Sequence, residues 1–163
     1  MAEVRAYIGL GSNLADPAAQ VRAALASLGR LPDSALVSHS ALYHNPPMGP
    51  AVQPYYVNAV AALDTRLQPL ALLDALQDIE ARQGRVRGGE RWGPRIIDLD
   101  LLLYGGACID HPRLQVPHAG LAERAFVLVP LQELAPDLDI PGLGPVAALA
   151  AACPPVPLRR LTA

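Results

Sequence analysis

The chain contains no lysine: all 13 basic residues are arginine, set against 15 acidic residues for a net charge of −2. A general nucleic-acid binder relies on cationic surface, so a slightly negative chain argues against that class. Without lysine there is no Walker phosphate loop. Aromatic residues make up 4% of the chain, with one Trp and one Phe, too few for a platform that stacks single-stranded RNA. Two cysteines, Cys108 and Cys153, do not make a disulfide framework and form no Cys-x-x-Cys, so the cytoplasm is the expected location. His39, His44, His111 and His118 lack zinc-ligand spacing, and no Gly-x-Ser-x-Gly elbow occurs. No apolar run reaches the length of a membrane span, and Met1 to Arg5 carries no signal-peptide pattern, so no membrane association is expected. The 52% apolar content of 163 residues excludes disorder and fits one domain, residues 1–163.

What the chain does have is concentrated in Arg91-Trp92-Gly93-Pro94-Arg95-Ile96-Ile97-Asp98-Leu99-Asp100-Leu101. The Ile and Leu run reads as a strand. Side chains two apart on a strand share a face, so Asp98 and Asp100 point the same way, roughly 6 to 7 Å apart at the backbone. Two carboxylates on one half-buried face repel each other and are costly to desolvate unless a cation sits between them. A hard divalent ion, above all magnesium, fits such oxygen ligands. A lone Asp-x-Asp also suits a solvated strand edge, but Ile96, Ile97, Leu99, Leu101, Leu102 and Leu103 around it argue for a buried strand that carries a site. Arg82, Arg85, Arg87, Arg91 and Arg95 cluster just upstream with only Glu90 to offset them. Guanidinium groups match phosphate oxygens in pairs. Carboxylates for metal, arginines for phosphate and a ring for stacking together point to chemistry on a nucleotide phosphate.

Along the chain, Val4 to Leu10 reads as a strand. Asp16-Pro17 opens a helix whose Val21, Leu25 and Leu28 share a face and which Gly29 ends. Ala35 to Tyr43 reads as a second strand, Asn45 to Pro50 as an irregular proline loop, and Tyr56 to Leu63 as a third strand. A second helix runs from Pro69 to Gly84 with Leu73, Leu76, Ile79 and Gln83 on one face. A glycine-rich arginine loop follows. Ile96 to Tyr104 is the fourth strand, closed by Gly105-Gly106, and Ile109 to Val116 suggests an edge hairpin. Leu121 to Leu134 reads as a helix interrupted at Pro130, and the tail from Pro136 is weakly specified. The order strand, helix, strand, strand, helix, strand is the ferredoxin-like split βαβ plan, an α+β fold with an antiparallel sheet and C-terminal additions. Many functions share that fold, so it selects none of them. Gly9-Leu10-Gly11-Ser12-Asn13 reads as a tight turn after the first strand. Tyr56 and Asn58 share a strand face, and Asn suits the edge of a heterocycle; an ordinary surface Asn is an equally open reading, and for Phe126 the residues alone favour plain core packing.

These residues resemble the hydroxymethyl-dihydropterin pyrophosphokinases of the folate pathway. The resemblance rests on Glu90-Arg91-Trp92-Gly93-Pro94-Arg95 followed by Asp98-Leu99-Asp100. It extends over Gly9 to Asn13, Pro46-Pro47, Tyr56-Val57-Asn58, Gln77, Glu80, Gly84 to Arg87, Val116-Pro117-His118 and Arg124-Ala125-Phe126. It implies transfer of pyrophosphate from ATP to the hydroxymethyl group of a reduced pterin, with release of AMP. By this likeness Asp98 and Asp100 hold two magnesium ions on the ATP phosphates. Arg85, Arg87, Arg95, Arg113, His118 and Arg124 bind ATP, and Arg85 and Arg95 stabilise the charge that develops in the transition state. Gln77 and Leu101 lie near the adenine. The pterin lies between Tyr56 and Phe126, read by Asn58 and by the main chain around Asn45, Pro46 and Met48, and Trp92 closes over the site, binding both ATP and pterin. The partners implied are ATP and the pterin alone, with no nucleic acid, and the chain is expected to be a monomer. The family often has Thr at Asn45, Leu at Met48 and an aromatic at Ala119. A two-metal nucleotidyl transferase or cyclase, which releases pyrophosphate instead of AMP, and a non-catalytic ligand-binding module of the same fold are the competing readings.

Overall fold

The computed structural model describes residues 2–14, 16–45, 55–84 and 96–161. Seven elements build the core: β1 (Val4–Ser12), α1 (Pro17–Leu28), β2 (Ser34–His39) with β3 (Tyr43–Asn45), β4 (Tyr56–Thr65), α2 (Pro69–Gln83) and β5 (Asp98–Tyr104). The strands all pair antiparallel. β1 lies at the centre between β4 and β5, while β2 and β3 both pair with the far side of β4. This is the expected ferredoxin-like arrangement.

Local signals set the helix starts. The Asp16 carboxylate accepts from Ala19 N–H, and Pro17 and Pro69 open their helices, where a missing N–H costs nothing. Gly29 and Gly84 follow the last turns. On α2 the fully buried face is Leu72, Leu76 and Ile79; the expected Leu73 is half-buried beside it.

Both faces of the sheet are covered. Ala6, Ile8, Leu10, Val57, Ala59, Ala61, Leu63, Leu99 and Leu101 pack under α1 and α2. Tyr7, Val60, Ala62, Leu102 and Leu103 pack on the other side against α3 (Ala125–Leu134) and α4 (Val146–Ala152). The interruption expected at Pro130 does not occur: α3 runs through it, preceded by a 3-10 turn at Leu121–Glu123. Its buried neighbours Leu128 and Leu131 hold the helix against the sheet, and packing outweighs the lost N–H. The expected edge hairpin is β6 (Ile109–His111) with β7 (Leu114–Val116). The tail is also built: β8 (Asp139–Ile140) pairs with β9 (Gly144–Pro145), and β10 (Arg159–Arg160) returns to pair with β3. Among the described residues no helix is long and apolar enough to cross a membrane.

Three of the expected strands differ in detail. The single strand expected over Ala35 to Tyr43 is split, because His39 pairs with Ala61 and Tyr43 with Asn58. Four steps on one chain face three on the other, which is a bulge. Ser40 fills it: its N–H donates to Val60 O, and its hydroxyl accepts Val60 N–H at 3.0 Å. In addition, Gly9 and Gly11 do not form a turn; they lie inside β1. The fourth strand begins at Asp98 instead of Ile96, although Ile97 is already buried.

Leu128, fully buried in the second layer, offers a test of that packing. Leu128→Ala should lower the unfolding free energy by about 2–5 kcal/mol in a urea titration. A loss below about 1 kcal/mol would mean that α3 is not packed on the sheet.

Candidate active site

The polar residues of the sheet collect on the face that carries α3, at the end that the second layer leaves open. Registers show why. Asp98 pairs with Gly11 and Asp100 with Gly9 on β1, while Gly11 pairs with Asn58 on β4. Asn58 pairs in turn with Tyr43, and Tyr56 with Asn45. Directly opposed residues share a face, so Asp98, Asp100, Asn58, Tyr56 and Asn45 all project to one side. Leu99 and Leu101, between and after the aspartates, point into the helix-covered core. The Leu101 side chain is therefore buried, and only its main chain is left for a ligand.

Glycine at both positions opposite the aspartates leaves that side of β1 bare. A Cβ on Gly11 would stand 2.8 Å from Asn58 Nδ2, so the Asn58 amide lies across Gly11 and would have to shift to admit a side chain there. The sequence reading missed this role. Gly-x-Gly at the period of a strand, within an apolar run, is the signal for a face without side chains.

Asn45 and Asn58 are each 7% exposed, and the Oδ1 of each is buried with no hydrogen-bond partner among the described residues. An unsatisfied buried acceptor costs about 1–3 kcal/mol, which a ligand donor would relieve. The Tyr56 ring beside them is exposed. Phe126 sits at the first turn of α3, half-buried, with the Arg124 guanidinium 5.8 Å from its ring centre.

At the aspartate end, β5 carries a bulge of its own. Tyr7 pairs with Leu103 and Ile8 with Leu101, so Leu102 is the extra residue. Its carbonyl accepts His118 N–H at 3.0 Å. That bond brings the His118 loop, which follows the cis Val116–Pro117 bond, to the side of Asp100. His118 Nε2 is 3.8 Å from Asp100 Oδ1. Gly120 N–H donates to His118 Nδ1 at 3.2 Å, so a neutral ring carries its proton on Nε2, facing the carboxylate. On the outer edge of β5, Leu99 N–H donates to the Glu80 carboxylate at 2.8 Å. One turn earlier on α2, Gln77 accepts from Arg113 at 3.3 Å, and Asp74 accepts from the same guanidinium at 2.6 Å.

The structure thus gathers Asn45, Tyr56, Asn58, Asp98, Asp100 and His118 on one face, with Gln77 and Arg113 together at the margin of β5. Pro46, Met48, Arg85, Arg87, Trp92 and Arg95 lie outside the described residues. Among those described, no three His, Cys, Asp or Glu side chains assemble as a metal cluster; the carboxylate pair is the candidate.

The model of the 7,8-dihydro-6-hydroxymethylpterin-pyrophosphokinase family (HPPK) matches residues 7–136. The chain belongs to this family. It is 57% identical to a 2-amino-4-hydroxy-6-hydroxymethyldihydropteridine pyrophosphokinase of Pseudomonas aeruginosa, over 96% of each chain. It is 52% identical to the Haemophilus influenzae protein of that name, over 85% of this chain and 86% of the other. Its fold matches the crystal structure of wild-type Plasmodium falciparum HPPK-DHPS with pteroate at a TM-score of 0.73 and 14% identity, over 91% of this chain. The chain spans 42% of that solved chain. The HPPK match ends at Leu134-Ala135-Pro136, so the hairpin β8–β9, α4 and β10 lie beyond it.

Gly11→Ala tests the contact between β1 and Asn58. The variant should keep the wild-type backbone amide spectrum while the Asn58 side-chain amide signals move. Unmoved signals would contradict the close approach.

Proposed function

We infer that this chain transfers pyrophosphate from ATP to the hydroxymethyl group of 6-hydroxymethyl-7,8-dihydropterin, releasing AMP, in folate biosynthesis. Family membership and 57% identity along nearly the whole chain support this. The observation that carries the assignment to this face is the pair of unpartnered acceptors on Asn45 and Asn58. They favour a flat ligand that brings adjacent N–H donors, as the amino-pyrimidinone edge of a pterin does. The ring lies between Tyr56 and Phe126, with Asn58 reading its edge and the main chain around Asn45, Pro46 and Met48 assisting.

ATP runs from the margin of β5 toward the aspartates. Gln77 and the Leu101 main chain meet the adenine. Arg113, His118 and Arg124 donate to phosphate oxygens, joined by Arg85, Arg87 and Arg95 from the arginine loop, and Trp92 closes over the pterin. The donor set fits magnesium, which characteristically takes one or two carboxylates and completes its shell with substrate phosphates and water. Asp98 and Asp100 are half-exposed on one face, and the glycines opposite them leave room. Asp98 and Asp100 would hold two ions, which screen and polarise the phosphates when bound.

The hydroxymethyl oxygen bonds to the β-phosphorus, the bond from that phosphorus to the α,β-bridging oxygen breaks, leaving AMP, and the hydroxyl proton is released to solvent. The chain contributes position and charge. The amide row fixes the pterin. His118 presents Nε2–H, and Arg85 and Arg95 meet the negative charge growing on the β-phosphoryl and bridging oxygens. The 163 residues act as one monomeric, cytoplasmic domain. In support, the tail packs back on α3 and pairs through β10 with β3, and both cysteines are free thiols.

The test is AMP formation from ATP with magnesium and pterin supplied singly and together. AMP should require both, and Asp98→Ala or Asp100→Ala should abolish it with the folded state intact. AMP without pterin, or wild-type turnover in either variant, would refute the assignment.

A further inference from the structure

Glu133, on α3, stands outside the row just described yet binds three other segments. Tyr43 hydroxyl donates to its Oε1 at 2.5 Å, Ala41 N–H donates to its Oε2 at 3.0 Å, and Arg160 Nη2 lies 3.1 Å from Oε2. One carboxylate therefore ties α3 to the bulge, to β3 and to β10.

The need for such a tie follows from the strand it holds. β3 is three residues long, and a strand that short is weakly held by its ladder alone. The bulge spends Ser40 on both polar groups of Val60, and Ala41 N–H turns to Glu133. Leu42 O, next along, accepts from Leu161 N–H in the tail. Tyr43 stands opposite Asn58, and Asn45 follows two residues later on the same face. Both amides carry an Oδ1 with no partner among the described residues, so a small slip of β3 along β4 changes the spacing of the two acceptors.

We propose that Glu133 is a positioning residue of the pterin pocket: through Tyr43 and Ala41 it locks β3 against β4 and holds the Asn45 and Asn58 acceptors at the spacing the ligand's paired donors require. The proposal rests on the reading of that row as the pterin site. The Tyr43 phenol suits the role. Burial, and then the Glu133 carboxylate, push it up to about 12, so it remains a donor throughout the neutral range. Arg160 is the lesser partner, because an exposed ion pair contributes little.

Steady-state kinetics of Glu133→Ala, Tyr43→Phe, Glu133→Gln and Asn58→Ala test it, with a melting temperature for each. Glu133→Ala and Tyr43→Phe should raise KM for the pterin about fivefold or more, as expected for a lost buried hydrogen bond to a charged group. KM for ATP and kcat should stay near wild type. Glu133→Gln should restore pterin KM, since its amide can accept from Ala41 N–H and donate to the Tyr43 oxygen. An unchanged pterin KM in Glu133→Ala and Tyr43→Phe, with Asn58→Ala raising it, would overturn the positioning role alone. A parallel rise in both KM values that tracks the melting temperature would overturn it as well, leaving Glu133 a purely structural residue. An unchanged pterin KM in Asn58→Ala would remove the pocket reading and this proposal together.

Discussion

A sheet that buries both faces has to stop being buried where it binds something. Here α1 and α2 cover one face along its length, whereas α3 and α4 cover only part of the other. The strand period of two then decides what the open part can present. Every second residue of β1, β4 and β5 belongs to the helix-covered core and, apart from Ser12 and Thr65 at strand ends, is apolar; those between are glycine, amide or carboxylate, with Tyr56, where the second layer ends. Asp98 and Asp100 survive among leucines because the same strand points them away from that core.

Two of the three bulges in the described sheet shape the site. Each inserts one residue and so turns a main-chain group out of the ladder, and each freed group is used. Leu102 O takes His118 N–H and seats the histidine beside Asp100. Ala41 N–H goes to Glu133 and anchors the strand that carries Asn45. The phosphate end and the heterocycle end of the site thus each depend on an irregularity in a neighbouring strand.

Signals that act over a few residues were legible before the structure. Asp16-Pro17, Pro69 and Gly84 mark helix ends because capping is local, and Asp98-Leu99-Asp100 reveals a shared face because alternation is local. What was missed depends on partners far away in sequence. Ser40 gives no sign that it will pair with Val60, and Leu102 none that it is an extra residue. Gly9 and Gly11 read as a turn because Gly-x-Gly suits both a turn and a bare strand, and only Asn58 across the ladder separates the two. Pro130 reads as a helix break because propensity speaks against it, while the burial that overrides propensity is tertiary. Glu133 was invisible for the same reason: its three partners come from residues 41, 43 and 160.

The account stands or falls on whether the two aspartates hold the metal that carries the nucleotide. Anomalous diffraction from crystals grown with manganese, a non-hydrolysable ATP analogue and the pterin tests that most directly. The account predicts anomalous density within coordinating distance of both Asp98 and Asp100, next to the analogue's phosphates. Bound nucleotide with the metal on other residues, and none on this pair, would contradict it.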